Sequence, residues 1–157
     1  QGQSVEAVYN PTNFGTYAKK LSDVAKNNKA ARVWFETWAR APGHAVYNYS
    51  WSGGTPAAMQ KGLRLAYGSV AKATGGVMAP VGDAWEAFFK AHAGIKLHEG
   101  DGSHPNIAGS YLAACVFYAV LTGRSPVGIG GVPSGVSASN AAKLAKIAWT
   151  TVKAQKP

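Results

Sequence analysis

The stretch Asp101-Gly102-Ser103-His104-Pro105-Asn106 holds two residues whose types and spacing suit acid–base chemistry. Asp-Gly favours a tight turn, and such a turn can fold the Asp101 carboxylate back toward an imidazole three residues on. Pro105 restricts His104 to extended backbone and itself suits the first turn of a following helix. A histidine steadied by an aspartate is the general-base half of a Ser-His-Asp triad. The carboxylate fixes the tautomer and stabilises the imidazolium formed when a hydroxyl nucleophile gives up its proton. Taken alone, the spacing also fits an Asp-capped turn carrying an exposed histidine, because Asp-x-x-His is a short pattern.

The elements around this loop follow from hydrophobic periodicity. Phe14, Tyr17, Leu21 and Val24 recur at helical spacing, so the pattern predicts an amphipathic helix from Asn13 to Asn27 with that stripe inward. Ala31 to Trp38 is aromatic and β-branched and reads as a buried strand. A loop from Ala39 to Gly54 follows, broken by Pro42-Gly43 and Gly53-Gly54. Thr55-Pro56 opens a helix whose face is Met59, Leu63, Tyr67 and Val70, up to about Ala73. Val77 to Pro80 reads as a short strand, and Asp83 to Ala93 as a helix with Trp85, Phe88 and Phe89 inward. The Asp101–Ser103 turn leads into a helix from about Asn106 to Thr122. A Gly/Pro loop, Pro126 to Gly135, precedes a last helix from Ser137 carrying Ala141, Leu144, Ile147, Ala148 and Trp149.

Alternating helix and strand is the rhythm of an α/β protein with a parallel sheet. In open sheets of that kind ligands gather beyond the carboxyl ends of the strands, where the His104 loop is expected. Two strands alone leave both sheet edges bare, which predicts further strands, and a helix between them, ahead of Gln1. The absence of an initiator Met fits the same expectation.

The block Leu97-His-Glu-Gly-Asp-Gly-Ser-His-Pro-Asn-Ile-Ala-Gly-Ser-Tyr-Leu-Ala-Ala114 resembles the last block of SGNH (GDSL-like) hydrolases. There Asp-x-x-His-Pro runs into a small-residue helix beginning Asn-x-x-Gly-x-Tyr-Leu. Met78 to Trp85 resembles the strand and turn preceding that block, and Phe35 to Arg40 the strand and loop before it. Thr122 to Pro126 and the terminal helix also match, so the resemblance covers nearly the whole chain in order. It implies a three-layer, parallel-sheet, flavodoxin-like fold. Residues 1–157 would be a single incomplete domain, the C-terminal two-thirds, lacking the N-terminal strands and helix.

The family acts through a serine near its first strand, in a Gly-Asp-Ser type block, with a Gly and an Asn completing the oxyanion hole. The resemblance thus implies His104 as general base and Asp101 as its orienting carboxylate, with the serine on a missing N-terminal segment. Gln1-Gly2-Gln3-Ser4 falls where the family has its third block, usually Gly-x-Asn-Asp. Gln1 or Gln3 would then replace the Asn as amide donor to the oxyanion. A rival resemblance reads Gly2-Gln3-Ser4 as a Gly-Gln-Ser-Asn nucleophile block, known in some carbohydrate esterases, with Ser4 attacking. Val5 in place of the Asn, and the lack of a preceding strand, count against it.

Composition narrows the remaining classes. The 157 residues are 46% apolar and 15% charged, a balance for an ordered core and not for disorder. No apolar run reaches the roughly 20 residues of a membrane span, and the N-terminus has no signal-peptide pattern. The net charge of +9 raises nucleic acid as a partner, yet the lysines are scattered over polar helix faces without a stripe of arginine and stacking aromatics. A solvated basic surface is the favoured reading. Cys115 lies in an apolar run as an inert buried thiol. His44, His92 and His98 lack metal-ligand spacing, so no metal and no organic cofactor is expected. Trp38, Arg40, His44, Tyr47, Tyr49 and Trp51 either line a substrate cleft or pack as a cover on the sheet.

The function expected is cleavage of an acyl or acetyl ester, carried by a small molecule or a saccharide. The alternative is a non-catalytic carbohydrate- or polyanion-binding module on the same frame.

Overall fold

The computed structural model describes residues 4–155, a mixed α/β protein of mostly helices with a small parallel two-stranded sheet. The chain divides into two compact units, residues 1–82 and 83–157.

In the first unit, helices α1 (Ser4–Tyr9) and α2 (Pro11–Asn27) lead to strand β1 (Val33–Glu36). Two short 3₁₀ turns, Ala45–Asn48 and Ser50–Ser52, interrupt the loop that follows. Helix α3 (Pro56–Thr74) then returns the chain to strand β2 (Val77–Pro80). β1 and β2 pair in parallel, with Val33 opposite Val77 and Glu36 opposite Pro80. A helical crossover is what a parallel pair requires, and α3 supplies it.

The start of α3 follows its sequence: Thr55 accepts a hydrogen bond from Ala58 N–H at 3.2 Å, with Pro56 in the first turn. Its expected face is buried, Met59, Leu63, Tyr67 and Val70 all lying inside. Met59, Leu63 and Tyr67 form a core with Ala7, Ala39 and Val46, and Phe14 packs on Tyr67 with ring centroids 4.8 Å apart.

Two features of this unit differ from expectation. Helix α1 had no counterpart among the expected elements. On α2 the residues buried are Ala18 and Ser22, while Tyr17, Leu21 and Val24 are 57%, 67% and 60% exposed. Small residues let α2 lie close against α1 and α3, and the apolar stripe is left turned aside. Among the described residues the sheet has only these two strands, so the outer edge of each is unpaired.

Helix α4 (Val81–Ala91) follows β2 directly and carries the chain into the second unit. There the loop 92–106 leads to α5 (Ile107–Thr122), and a second loop to α6 (Ala138–Ala154). α5 and α6 pack along each other, and Leu112, Cys115, Val116 and Ala119 on one and Ala141, Leu144, Ala145 and Ala148 on the other are buried. Trp85 and Phe88 of α4 and Leu97 of the loop are fully buried.

Candidate functional site

The loop before α5 is built almost wholly from local hydrogen bonds. Glu99 N–H donates to His104 O, and Asn106 N–H to Leu97 O, each at 2.8 Å. These two bonds flank a bridge between His98 and Pro105 and close residues 97–106 into a small clasp. At its tip Gly102 takes φ +67, a left-handed conformation that costs a residue with a Cβ about 1 kcal/mol or more. Its N–H donates to Glu99 O at 3.1 Å.

Within the tip the Asp101 carboxylate turns back on the backbone. Oδ1 accepts from Ser103 N–H at 2.8 Å and from His104 N–H at 2.9 Å. Oδ2 meets His104 Nδ1 at 2.5 Å. The His104 imidazole, followed by the two backbone N–H groups, holds the Asp101 carboxyl well below the usual carboxylate range. An ionised carboxylate can only accept, so the proton of this contact belongs to Nδ1. Nε2 is left outside this contact, on a side chain 77% exposed to solvent.

The clasp is tied to α5 by Asn106. Its Oδ1 caps the helix, accepting from Ala108 N–H at 2.9 Å and Gly109 N–H at 3.0 Å. Its Nδ2 donates back to Lys96 O at 3.0 Å and His98 O at 3.4 Å. One side chain therefore holds both the helix start and the strand-like arm of the loop. Pro105 sits just outside this cap, not in the first turn, because Asn106 takes the capping position. Gly109, one turn on, lies against Leu97 O and the Trp85 ring, where a Cβ would come within 2.6 Å of Trp85 Cζ2. His98 is packed between rings, parallel to Phe89 at 5.8 Å and edge-on to Trp85 at 4.6 Å. Asn106, Gly109 and His98 are positioning residues that residue types alone did not single out. The Asn-x-x-Gly spacing was the available signal.

The other candidate residues are dispersed. Gln1 and Gln3 lie outside the described residues. Ser4 opens α1 in the first unit and is 4% exposed. Cys115 is buried, and burial pushes its thiol pKa up, the opposite of what a nucleophile needs. Among the described residues no three His, Cys, Asp or Glu side chains converge as metal ligands would. No helix of the described residues is long and apolar enough to cross a membrane.

The loop of the first unit is tightly organised. His44 Nδ1 accepts from Val46 N–H at 3.0 Å, and the Tyr47 hydroxyl donates to Arg40 O at 2.5 Å. Burial pushes the Tyr47 hydroxyl pKa up to about 12, against an opposing pull from Arg40. At the end of β1 the fully buried Glu36 accepts from Gln60 Nε2 at 2.5 Å. Gln60 Oε1 in turn accepts from Ala39 N–H at 2.9 Å. This clasp fixes the backbone leaving the strand, and Gly82 packs so closely on Thr37 O and Gln60 Nε2 that a Cβ has no room.

No family model matches the chain, and no curated protein matches it. Among solved structures, the chain is similar to a DUF4886 family protein from Bacteroides uniformis ATCC 8492, with a TM-score of 0.79 and 18% identity. The match covers 98% of this chain but 60% of that one, so this chain spans about three-fifths of its length. At that identity the likeness is one of fold.

Proposed function

We propose that this chain is the C-terminal part of an SGNH-class serine ester hydrolase, with His104 as general base and Asp101 as its orienting carboxylate. The observation that carries the reading is the Asp101 Oδ2–His104 Nδ1 hydrogen bond, which engages Nδ1 and leaves Nε2 outside the contact on an exposed side chain. In the reaction a serine hydroxyl attacks the acyl carbonyl, and His104 Nε2 takes its proton. The new C–O bond forms as backbone and side-chain amides hold the oxyanion. Collapse expels the alcohol, which receives the proton from His104. Water then attacks the acyl-enzyme, again giving its proton to Nε2, and the acid leaves as that proton returns to the serine.

The serine is proposed to lie upstream of Gln1, on a segment that also extends the sheet toward the three-layer, flavodoxin-like arrangement of the family. Two observations of the first unit support such a segment: the unpaired sheet edges and the exposed stripe Tyr17, Leu21 and Val24 on α2. A parallel strand added beside β1 would satisfy its backbone groups and widen the surface on which a helix can bury such a stripe. Ser4 is the weaker nucleophile, since it is buried and starts a helix without a preceding strand among the described residues.

Full-length protein treated with a fluorophosphonate probe, digested and mapped by mass spectrometry tests the reading. Label on a serine upstream of Gln1, lost in His104→Ala, is the expected result. Label on Ser4 would move the nucleophile, and no label on any serine would overturn the hydrolase.

A further inference from the structure

Three residues of the first unit form an exposed aromatic surface that the ester-hydrolysis reading does not use. Tyr49 lies nearly parallel to Trp51, with ring centroids 5.9 Å apart and planes at 17°. Tyr9, at the end of α1, meets the same Trp51 edge-on at 5.6 Å and 68°. Tyr9 and Tyr49 are 61% and 59% exposed, whereas Trp51 is half-buried and packs on the Met59–Leu63–Tyr67 core. One ring anchors the group, and the other two are largely exposed.

The support beneath the rings is rigid. Tyr49 joins the two 3₁₀ turns: its N–H donates to Val46 O at 3.1 Å, and its carbonyl accepts from Ser52 Oγ at 2.7 Å. Ser52 Oγ also accepts from Gly54 N–H at 3.1 Å. Gly53, at φ +76, presses against Ala58, where a Cβ would come within 2.6 Å of the Ala58 side chain. Surfaces fixed before binding lose little entropy when a ligand arrives.

We infer that Tyr9, Tyr49 and Trp51 form a binding platform for a neutral saccharide chain. Flat exposed rings match the C–H faces of pyranose units, and the tyrosine hydroxyls and the exposed Asn48 and Ser50 match their hydroxyls. Charge selects the ligand class. The chain carries +9, yet no Asp, Glu, Lys or Arg occurs between Arg40 and Lys61, the stretch that bears Tyr49 and Trp51. A polyanion would be drawn to lysine-bearing surfaces elsewhere, and an aliphatic partner would want leucine and isoleucine in place of amides and hydroxyls. The platform belongs to the first unit and the His104–Asp101 pair to the second, so binding here stands independently of hydrolysis.

Calorimetric titration of the full-length protein with unesterified cellohexaose, xylohexaose and chitohexaose tests the inference, because these ligands offer no ester to cleave. Saturable binding of at least one is expected, unchanged between low and high salt. Tyr49→Ala and Tyr9→Ala should each weaken it about tenfold, and Tyr49→Phe by much less. Both tyrosines are exposed, so the variants should keep the parent circular dichroism and melting temperature. Binding of none of the three, binding that collapses with salt as a polyanion's does, or full affinity in a folded Tyr49→Ala variant would each overturn it. Failure of the fluorophosphonate experiment would leave this outcome untouched.

Discussion

Two carboxylates organise this protein in opposite ways. Asp101 sits at the tip of a loop, about half exposed, and spends its oxygens on two backbone N–H groups and one imidazole. Glu36 ends a strand with no exposure and is met by an amide that also fixes the backbone at Ala39. The first arrangement leaves Nε2 of an exposed imidazole outside the contact. The second encloses its carboxyl group, which serves to shape the chain. Buried polar groups of the second kind are costly to disturb, because nothing replaces a lost partner. Exposed ones cost little in stability, since water replaces the partner, and their value lies in the chemistry they orient.

This contrast can be broken from either side. The largest expected effect is chemical. In the full-length protein His104→Ala should lower ester turnover by about 10⁴-fold or more, and Asp101→Asn by about 10²- to 10⁴-fold, through the wrong tautomer. Both variants should melt close to the parent, because water replaces the lost partner. Initial rates on p-nitrophenyl acetate with parallel denaturant melts read both quantities, and a large stability loss in His104→Ala would erase the distinction between the two regions.

Gln60→Ala should do the reverse. Removing the amide takes a donor from buried Glu36 and the acceptor from Ala39 N–H, at a cost of about 2–4 kcal/mol in unfolding free energy. The hydrogen-bond geometry of the Asp101–Asn106 loop is local to the second unit and should survive, as seen in the NMR signals of the His104 ring.

The smallest effect is the pH dependence of Asp101. Its folded pKa is lowered, so its stabilising contribution is present above the unfolded carboxylate value and is lost only as pH falls through the lower folded value. The carboxyl carbon resonance should therefore stay in the ionised form well below pH 4 and shift to a higher midpoint in His104→Ala, whose partner is gone. An ordinary midpoint in the parent protein would mean that the imidazole does not hold the carboxylate.

Much of the site was legible because it is local. Asp101, Gly102, His104 and Asn106 interact across two to five positions, a range where turn and cap preferences determine geometry. The capping role of Asn106 was only half visible: the helix was expected to begin there, while its second task, holding Lys96 O and His98 O, depends on a strand-like arm eight to ten residues back. The clasp of Glu36 and Gln60 was not legible at all. A glutamate ending an aromatic strand and a glutamine inside an amphipathic helix each read as ordinary, and 24 positions separate them.

By itself the sequence determined which segments become helices and strands at β1, β2, α3 and α5, and how the carboxylate turns onto the imidazole. Those outcomes rest on near-neighbour sterics, caps and periodicity. Only the tertiary structure decided which face of α2 is buried. Periodicity marks a stripe, but the neighbours present choose the side, and here α1 and α3 take Ala18 and Ser22 while Tyr17, Leu21 and Val24 stay in water. It also decided that Glu36 is enclosed and that Tyr9, from one helix, meets Trp51, from a distant loop. Contacts of that range depend on packing, which residue order encodes only through the whole fold.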